Sequence, residues 1–396
     1  MAKQPSAKPK LTPRTIWFDP NVRSLVFQVL AIALVVLFLH SIITNALHNL
    51  DSRGIKTGFS FLSQHAGFGI IQTLIPYSED STYGTTFIVG LLNTLLVSVL
   101  GIIFATIIGF IVGIARLSDN WVVGKLASSY VEILRNTPLL LQIFFWYNAV
   151  LAPLPSPRGS FHLGQLIFLN NRGLYIPKPI FESGSGLLLA AVVFTLIGIV
   201  ALKRWAKKRQ LRTGVPFPVL WVSIGLLIVI PGIALWLSDQ SIVLERPHLT
   251  GFNFRGGWTI IPELTALLLA LALYTSAFIA EIVRSGIESV SQGQTEAAHS
   301  LGLSKGQTLR LVVIPQAMRV IIPPLTSEYL NLTKNSSLAT AIGYPELVSV
   351  FMGTTLNQTG QAIEVIAMTM AVYLVISLAT SAFMNLYNQK MALVER

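Results

Sequence analysis

Cysteine is absent from this sequence of 396 residues, and charged side chains make up only 11% of it. Without cysteine the chain has no disulfide framework and no thiolate metal site, and the redox compartment is left open. Soluble domains carry about 25% charged residues. The low charge, together with a hydrophobic content of 53%, places the chain among integral membrane proteins.

The sequence also lacks the residue groupings of common catalytic sites. It contains no Gly-x-x-x-x-Gly-Lys-Ser/Thr phosphate-binding loop, so we expect that the chain does not hydrolyse ATP itself. Its six His never occur four residues apart, as they would in a helical zinc site, and its few carboxylates are not paired inside one apolar stretch. We therefore predict a chain that is not an enzyme, with no catalytic residue, no metal ligand and no bound cofactor.

Eight apolar stretches predict an all-α integral membrane protein with about eight transmembrane helices. A polar tail, 1–24, precedes the first helix, 25–48, and an external turn is expected near 345–359. Most of the 28 Lys and Arg residues fall on one side of this topology, which predicts cytoplasmic termini. Membrane orientation, rather than nucleic-acid binding, then accounts for the net charge of +11. The other stretches are 86–115, 128–151, 187–202, 217–237, 262–283, the region after residue 311, and 362–386.

Polar side chains occur inside two of these apolar stretches. Pro138 has no amide hydrogen and clashes with the carbonyl of Leu134, so a kink or break is expected there. Polar groups are costly in hydrocarbon and usually face a partner or a wet cavity. For the candidates in the stretch 128–151, the alternative is a purely structural helix with a kink at Pro138. The candidate residues for a substrate passage are Asn136, Thr137, Gln142, Glu328, Asn331, Lys334, Asn335 and Ser336.

Two further spacings predict contacts between or within helices. Gly109 and Gly113 are four residues apart and allow close approach of a neighbouring helix, although glycines that are merely tolerated would look the same. Glu281 and Arg284 are three apart and can pair near the cytoplasmic boundary. A structural ion pair is favoured there over a gating role.

The segment 293–315 is a short amphipathic stretch between two apolar runs. Confined between two spans, such a helix lies on the membrane surface, where its exposed face meets a soluble partner or lipid headgroups. Ala297 and Ala298 are small enough for close approach, and Glu296 adds a directional charge. Gly302 permits the turn with positive φ that sends the chain back to the membrane.

The spacing of Glu296-Ala297-Ala298, Gly302 and Val312–Pro315 resembles the signature loop of permease subunits of binding-protein-dependent ABC importers. Two other segments, Arg135–Gln142 and Leu332–Ala339, resemble the polar amino-acid subfamily, the histidine, glutamate and glutamine permease type. Many members have Asp-Thr where this chain has Asn-Ser at 335–336, a departure that removes a carboxylate. On this resemblance, 85–152 and 256–396 form the core of a type I importer, and 153–255 is an insertion with two extra transmembrane helices.

The resemblance implies a multi-pass subunit of the bacterial inner membrane that translocates amino acids. Its partners would be two cytoplasmic ABC ATPase subunits that use ATP, a second permease subunit, a periplasmic amino-acid-binding protein and membrane lipid, but no nucleic acid. The residues implied in coupling to the ATPase are Glu296, Ala297, Ala298, Gly302 and Leu303. The alternative is a secondary transporter or channel driven by an ion gradient, which predicts inverted repeats or an ionisable pair near the midplane.

Overall fold

The computed structural model describes residues 20–52, 54, 57–180, 185–237 and 243–391. Most of the predicted tail 1–24 and the residues 392–396 lie outside these ranges. Six helices in the described chain are long and apolar enough to cross a membrane, so the predicted multi-span helical architecture is confirmed. They are Val22–Ala46, Tyr83–Ala115, Val219–Trp236, Pro262–Glu288, Lys305–Ile342 and Ala362–Gln389.

The helices are numbered in chain order. They are α1 (Pro20–Ser52), α2 (Tyr83–Ala115), α3 (Trp121–Asn136), α4 (Leu139–Phe144), α5 (Ser185–Thr213), α6 (Val219–Leu237), α7 (Pro262–Glu288), α8 (Gln292–Ser300), α9 (Lys305–Thr308), α10 (Ile314–Asn335), α11 (Leu356–Thr359) and α12 (Ala362–Met391). Irregular helical turns join several of them: π-helical Phe145–Leu151, Leu309–Val313 and Val348–Thr355, and 3₁₀-helical Ser60–Ser63, Pro157–Gly159 and Ser336–Ile342.

Two of the eight predicted spans differ in detail from the structure. The stretch 128–151 is divided, because α3 ends at Asn136, α4 begins at Leu139, and a π-helical turn follows. The break falls at Pro138, as expected. The stretch 187–202 lies within α5, which is 29 residues long, continues through the basic residues after it, and packs against α6. The chain near 345–359, expected to be a turn, is mostly helical.

The prediction of an all-α chain is incomplete, because short strands form on either side of α5 and α6. The strands are β1 (Phe161–Leu163), β2 (Ile167–Asn170), β3 (Gly173–Ile176), β4 (Lys178–Ile180), β5 (Val243–Glu245), β6 (His248–Thr250), β7 (Asn253–Arg255) and β8 (Trp258–Ile260). One antiparallel sheet has the order β1-β2-β3-β8, and β4-β5 and β6-β7 form two-stranded pairs. Strands before α5 therefore pair with strands after α6, in segments rich in β-branched and aromatic residues.

The core is built around the contact between α2 and α7. An added Cβ at Gly109 would lie 2.6 Å from Cβ of Ile279, and one at Gly113 would lie 2.8 Å from the carbonyl oxygen of Ala280. Ile279 and Ala280 are fully buried. The two glycines thus face a neighbouring helix at backbone distance, which confirms the close packing predicted from their spacing.

We expect Gly109→Ala to destabilise the protein, because the new methyl group would overlap a rigid part of Ile279. Overpacking of this kind costs about 1–3 kcal/mol. The matched control is Gly225→Ala in α6, where an added Cβ meets nothing within 4 Å. Thermal unfolding in detergent measures both variants, and equal melting temperatures for Gly109→Ala and the wild type would contradict the packing argument.

Candidate functional site

The segment between α7 and α10 contains a tightly fixed turn. Leu303 N donates to Ala298 O at 3.1 Å, and Gly302 N donates to His299 O at 2.9 Å. These two bonds form a Schellman motif at the end of α8. Gly302 has a φ of 78°, a conformation that glycine adopts without the strain of a side chain. The turn predicted at Gly302 is confirmed.

Side-chain capping fixes the chain beyond this turn. Ser304 Oγ accepts a hydrogen bond from Gln307 N at 3.4 Å, and Gln307 Oε1 accepts one from Ser304 N at 2.9 Å. This reciprocal capping box starts α9. Because backbone bonds end α8 and side chains begin α9, the connection between the two short helices has a defined geometry.

The exposed side of α8 carries an acid, a small residue and a large apolar residue. Glu296 and Ala297 are exposed, and Leu301, directly after the helix, is 82% exposed. Ala298 is buried within the chain, and Leu303 is half-buried. Ala297 is therefore the alanine of the pair that is open to a partner. Sequence reasoning did not single out Leu301, although an exposed leucine beside a polar helix is a recognisable sign of a contact surface.

The side chain of Gln142 donates hydrogen bonds to two backbone carbonyls at the helix break. Thr137 has extended backbone, with φ −98° and ψ 124°, as expected for a residue before proline. Gln142 Nε2 donates to Leu134 O at 2.9 Å and to Thr137 O at 3.0 Å. The carbonyl of Leu134 is the one that Pro138 leaves without a helical donor. These bonds favour the structural alternative for Gln142, whose place in the passage stays a prediction.

The other passage candidates divide into residues with paired and unpaired side chains. Thr137 Oγ1 donates to Ile133 O at 2.8 Å, and the buried Ser336 donates through Oγ to Thr333 O at 2.7 Å. These hydroxyls are thus engaged by their own helices. The rest have no side-chain hydrogen bond to any residue that the structure describes. They are Asn136, Asn331 and Lys334, which are exposed, and Glu328 and Asn335, which are half-buried.

A groove of about 370 Å³ opens beside Lys334. Its polar lining also includes Ser337, Thr369 and Tyr373, so it lies between the end of α10 and α12. The 3₁₀-helical turn after α10 contacts α4. The structure therefore brings the segments of the two candidate groups next to each other, although they are far apart in the sequence.

Glu281 joins α7 to the C-terminal ends of α2 and α3. Its Oε1 accepts from Arg284 Nη2 at 2.5 Å, which confirms the predicted pair. Its Oε2 accepts from Arg116, the C-cap residue of α2, and lies 3.5 Å from Nη1 of Arg135 in the last turn of α3. Spacing along one helix finds partners on that helix alone, so the sequence analysis found Arg284 but not the other two arginines.

A second carboxylate is fully buried between α10 and α12. Glu346 accepts hydrogen bonds from Thr340 Oγ1 at 3.0 Å, Val348 N at 2.8 Å, Ser349 N at 2.7 Å and Tyr373 OH at 3.1 Å. The two backbone donors belong to the start of the following π-helical turn. Four donors satisfy this carboxylate, so its role is to hold the chain together after α10. Sequence reasoning missed it because its donors come from three separate segments.

Membrane-spanning helices that are interrupted at internally paired polar groups are typical of membrane transport proteins, in which irregular backbone lines a cavity. Residues 195–393 match the family model described as binding-protein-dependent transport system inner membrane component, and the chain belongs to this family. The match begins inside the predicted insertion 153–255. Family and fold together confirm the predicted location as a multi-pass protein of the bacterial inner membrane.

Relatives match the chain over nearly its whole length. YhdX of Escherichia coli, whose name assigns it to the amino-acid ABC transporter permeases, is 56% identical over 378 residues, 96% of each chain. The general L-amino acid transport system permease protein AapQ of Rhizobium johnstonii is 51% identical over 97% of this chain and 96% of its own. The glutamate/glutamine/aspartate/asparagine transport system permease protein BztB of Rhodobacter capsulatus is 42% identical over 96% of each chain.

We expect Gln142→Met to lower stability, because it keeps the side-chain volume but removes both donors to the broken helix. Buried carbonyls left unpaired cost about 1–3 kcal/mol. Gln210→Met, at an exposed position of α5, is the control and should leave stability unchanged. Unfolding of the purified protein in detergent measures the difference, and an unaltered Gln142→Met variant would refute the bridging role.

Proposed function

We propose that this chain is the membrane-spanning permease subunit of an ATP-driven importer that carries amino acids into the cell. The names of YhdX, AapQ and BztB support amino acids as the substrate class. Two cytoplasmic ABC ATPase subunits would use the ATP. A second permease subunit, either a copy or a paralogue, and a periplasmic amino-acid-binding protein would complete the assembly.

The observation that carries this proposal is the geometry of α8. Its fixed turn leaves Glu296, Ala297 and Leu301 exposed together on the side of the chain away from the core. Helices that present a small apolar and charged surface dock into grooves of soluble partners. Only three residues separate α7 from α8. A displacement of α8 by the ATPase therefore acts directly on α7, the central helix of the core.

The passage would use the unpaired polar groups near the helix break and the end of α10. An amino acid carries an ammonium and a carboxylate, and both need partners when water is removed. Lys334 supplies a cation for the carboxylate, and Glu328 supplies an anion for the ammonium. The amides of Asn136, Asn331 and Asn335 can donate to or accept from either group.

Co-purification separates this proposal from a gradient-driven transporter. A tagged chain extracted from inner membranes should retain an ATPase, and the complex in proteoliposomes should take up labelled amino acids only with ATP. Competition with a panel of unlabelled amino acids then identifies the substrate. Transport by the isolated chain on a sodium or proton gradient would overturn the proposal in favour of the secondary transporter.

We expect Glu296→Lys and Gly302→Asp to uncouple uptake from ATP hydrolysis while the chain still inserts into the membrane. Reversing an interfacial charge opposes docking, and a side chain at Gly302 strains the left-handed turn. Uptake per ATP hydrolysed should fall by about tenfold or more. Gly306→Asp is the control, since Gly306 lies in α9 without positive φ or close contacts. Wild-type transport by the first two variants would contradict the coupling role.

Alanine substitutions at Asn136, Asn331 and Asn335 test the passage. Each removes an exposed or half-buried amide that has no partner in the described chain, so folding should be unaffected while amino-acid uptake falls. A lost hydrogen bond to substrate is worth about 1 kcal/mol, or roughly fivefold in affinity or flux. Gln210→Ala serves as the control. If uptake kinetics matched the wild type for all three variants, these residues would not line the passage; Gln142→Ala is interpreted separately because of its bonds to the helix break.

A further inference from the structure

The C-terminal end of α5 extends beyond the helix against which it packs. α5 and α6 contact each other and are joined by the short connection 214–218. Phe217, just before α6 begins, lies beside Trp205 of α5, with the ring centroids 5.3 Å apart. Eight residues of α5 follow Trp205. At about 1.5 Å per residue, roughly the last 12 Å of α5 therefore pass beyond the start of α6.

The length of α6 indicates where this extension lies relative to a bilayer. α6 has 19 residues and is apolar enough to cross a membrane. Its length of about 28 Å matches a hydrocarbon core of about 30 Å. Trp221 and Trp236, near its two ends, are exposed, as is typical of tryptophans at the two membrane interfaces. The start of α6 therefore lies at one interface, and the extension of α5 enters the headgroup layer beyond it.

The last three turns of α5 are strongly basic and contain no acidic residue. No Asp or Glu occurs between Glu182 and Asp239. Five of the six basic side chains are exposed, and none of the six forms an ion pair with any residue that the structure describes. The protein itself thus leaves these charges available to an anionic ligand. The basic residues are Lys203, Arg204, Lys207, Lys208, Arg209 and Arg212.

Arg209, the half-buried member of the group, fixes the extension to the connection between the two helices. Its guanidinium carbon is 5.7 Å from the ring centroid of Trp205 and 5.6 Å from that of Phe217. Contacts of a guanidinium with aromatic rings at this distance are attractive. The extension is therefore held against the start of α6, and the remaining basic residues are presented in a defined position.

Most of the exposed cations share the side of α5 that faces away from α6. Thr195, Ile199 and Ala206 are buried and lie on one side of the helix, because residues four and eleven positions apart nearly coincide around its axis. At about 100° per residue, the opposite half of α5 carries four cations, which we call the basic face. The basic face consists of Arg204, Lys207, Lys208 and Arg212.

We propose that the basic face binds the phosphate groups of anionic phospholipids in the leaflet at the C-terminal end of α5. Four or more cations immediately beyond a membrane span attract anionic headgroups. Leu211, which lies among the four cations, and Trp205 are large apolar side chains that are exposed. Such a mixture of cations and apolar groups suits the boundary between headgroups and acyl chains, where Lys and Arg extend their charged ends to the phosphates. It therefore favours lipid over a soluble acidic partner.

Quenching by spin-labelled lipid tests this proposal on the isolated chain. Because the sequence has no cysteine, Leu211→Cys carries a single fluorescent label in the middle of the basic face. The labelled chain is placed in phosphatidylcholine nanodiscs with a small fraction of spin-labelled phosphatidylglycerol or spin-labelled phosphatidylcholine. Phosphatidylglycerol should quench more strongly, and added sodium chloride should reduce this preference by screening the charges. Equal quenching by the two lipids would overturn the proposal.

Two double variants of the labelled chain compare equal losses of charge at different places. Lys207→Gln/Lys208→Gln alters the basic face, whereas Arg172→Gln/Lys178→Gln removes two exposed cations before the N-terminal end of α5. Each cation near a membrane surface strengthens binding about fivefold. The first variant should therefore weaken apparent phosphatidylglycerol binding about fivefold or more, and the second should not change it. Equal binding by both variants would contradict the proposal.

Two additions distinguish headgroups from other anions. Sodium phosphate should act as sodium chloride does at equal ionic strength, and a specific loss of quenching with phosphate would overturn the proposal in favour of a free-phosphate site. Addition of an ATPase that co-purifies with the chain should leave the quenching unchanged, whereas protection of the label would assign the basic face to a soluble partner. The salt comparison leaves the basic face unaltered, so it tests the proposal even if a double variant fails to fold.

Discussion

The close approach of α2 and α7 is the constraint on which the rest of the structure depends. Gly109 and Gly113 bring the two backbones together over buried Ile279 and Ala280. In a membrane, packing of this kind replaces the hydrophobic drive that holds soluble helices together. Arg116 follows Gly113 by less than one turn, so the same approach places its guanidinium beside Glu281. The ion pair between Arg116 and Glu281 is therefore a consequence of the glycine contact.

Breaks in the helices are tolerated because other parts of the chain pair their backbone groups. In the hydrocarbon core of a bilayer, no water is available to hydrogen-bond an unpaired carbonyl. Gln142 donates to two carbonyls across the break at Pro138, and Glu346 accepts from two amides at the start of the π-helical turn Val348–Thr355. Each side chain lies opposite the irregular backbone it satisfies. These irregular segments therefore have a defined shape, which a passage for a small polar molecule needs.

Local signals predicted the parts of this fold that depend on neighbouring residues. Apolar length predicted the spans, Pro138 predicted the break, and Gly302 predicted the turn after α8, because each effect arises within a few residues of its cause. The pairings of β3 with β8 and of β4 with β5 were missed because they join segments on opposite sides of α5 and α6. The local pairings β1-β2, β2-β3 and β6-β7 were missed because strands of three or four residues are too short to show a period of two. Arg116 and Arg135 at Glu281, and Tyr373 at Glu346, were missed because they lie far away in the sequence. Periodicity reports which face is apolar and gives no information on which distant side chain lies opposite.

Two neighbours of α7 are fixed to it in different ways. Towards α2, Gly109 and Gly113 allow close approach to Ile279 and Ala280, and little space is left between the two helices. Towards α3, buried Val131 packs against Ala277 and Ala280, and Tyr130 OH lies 2.7 Å from Ser276 Oγ. Arg135 adds a long ion pair and a ring contact in the last turn of α3. Because α3 ends at the break, the packing that fixes this helix on α7 also sets the position of Asn136 and Thr137, the first passage candidates.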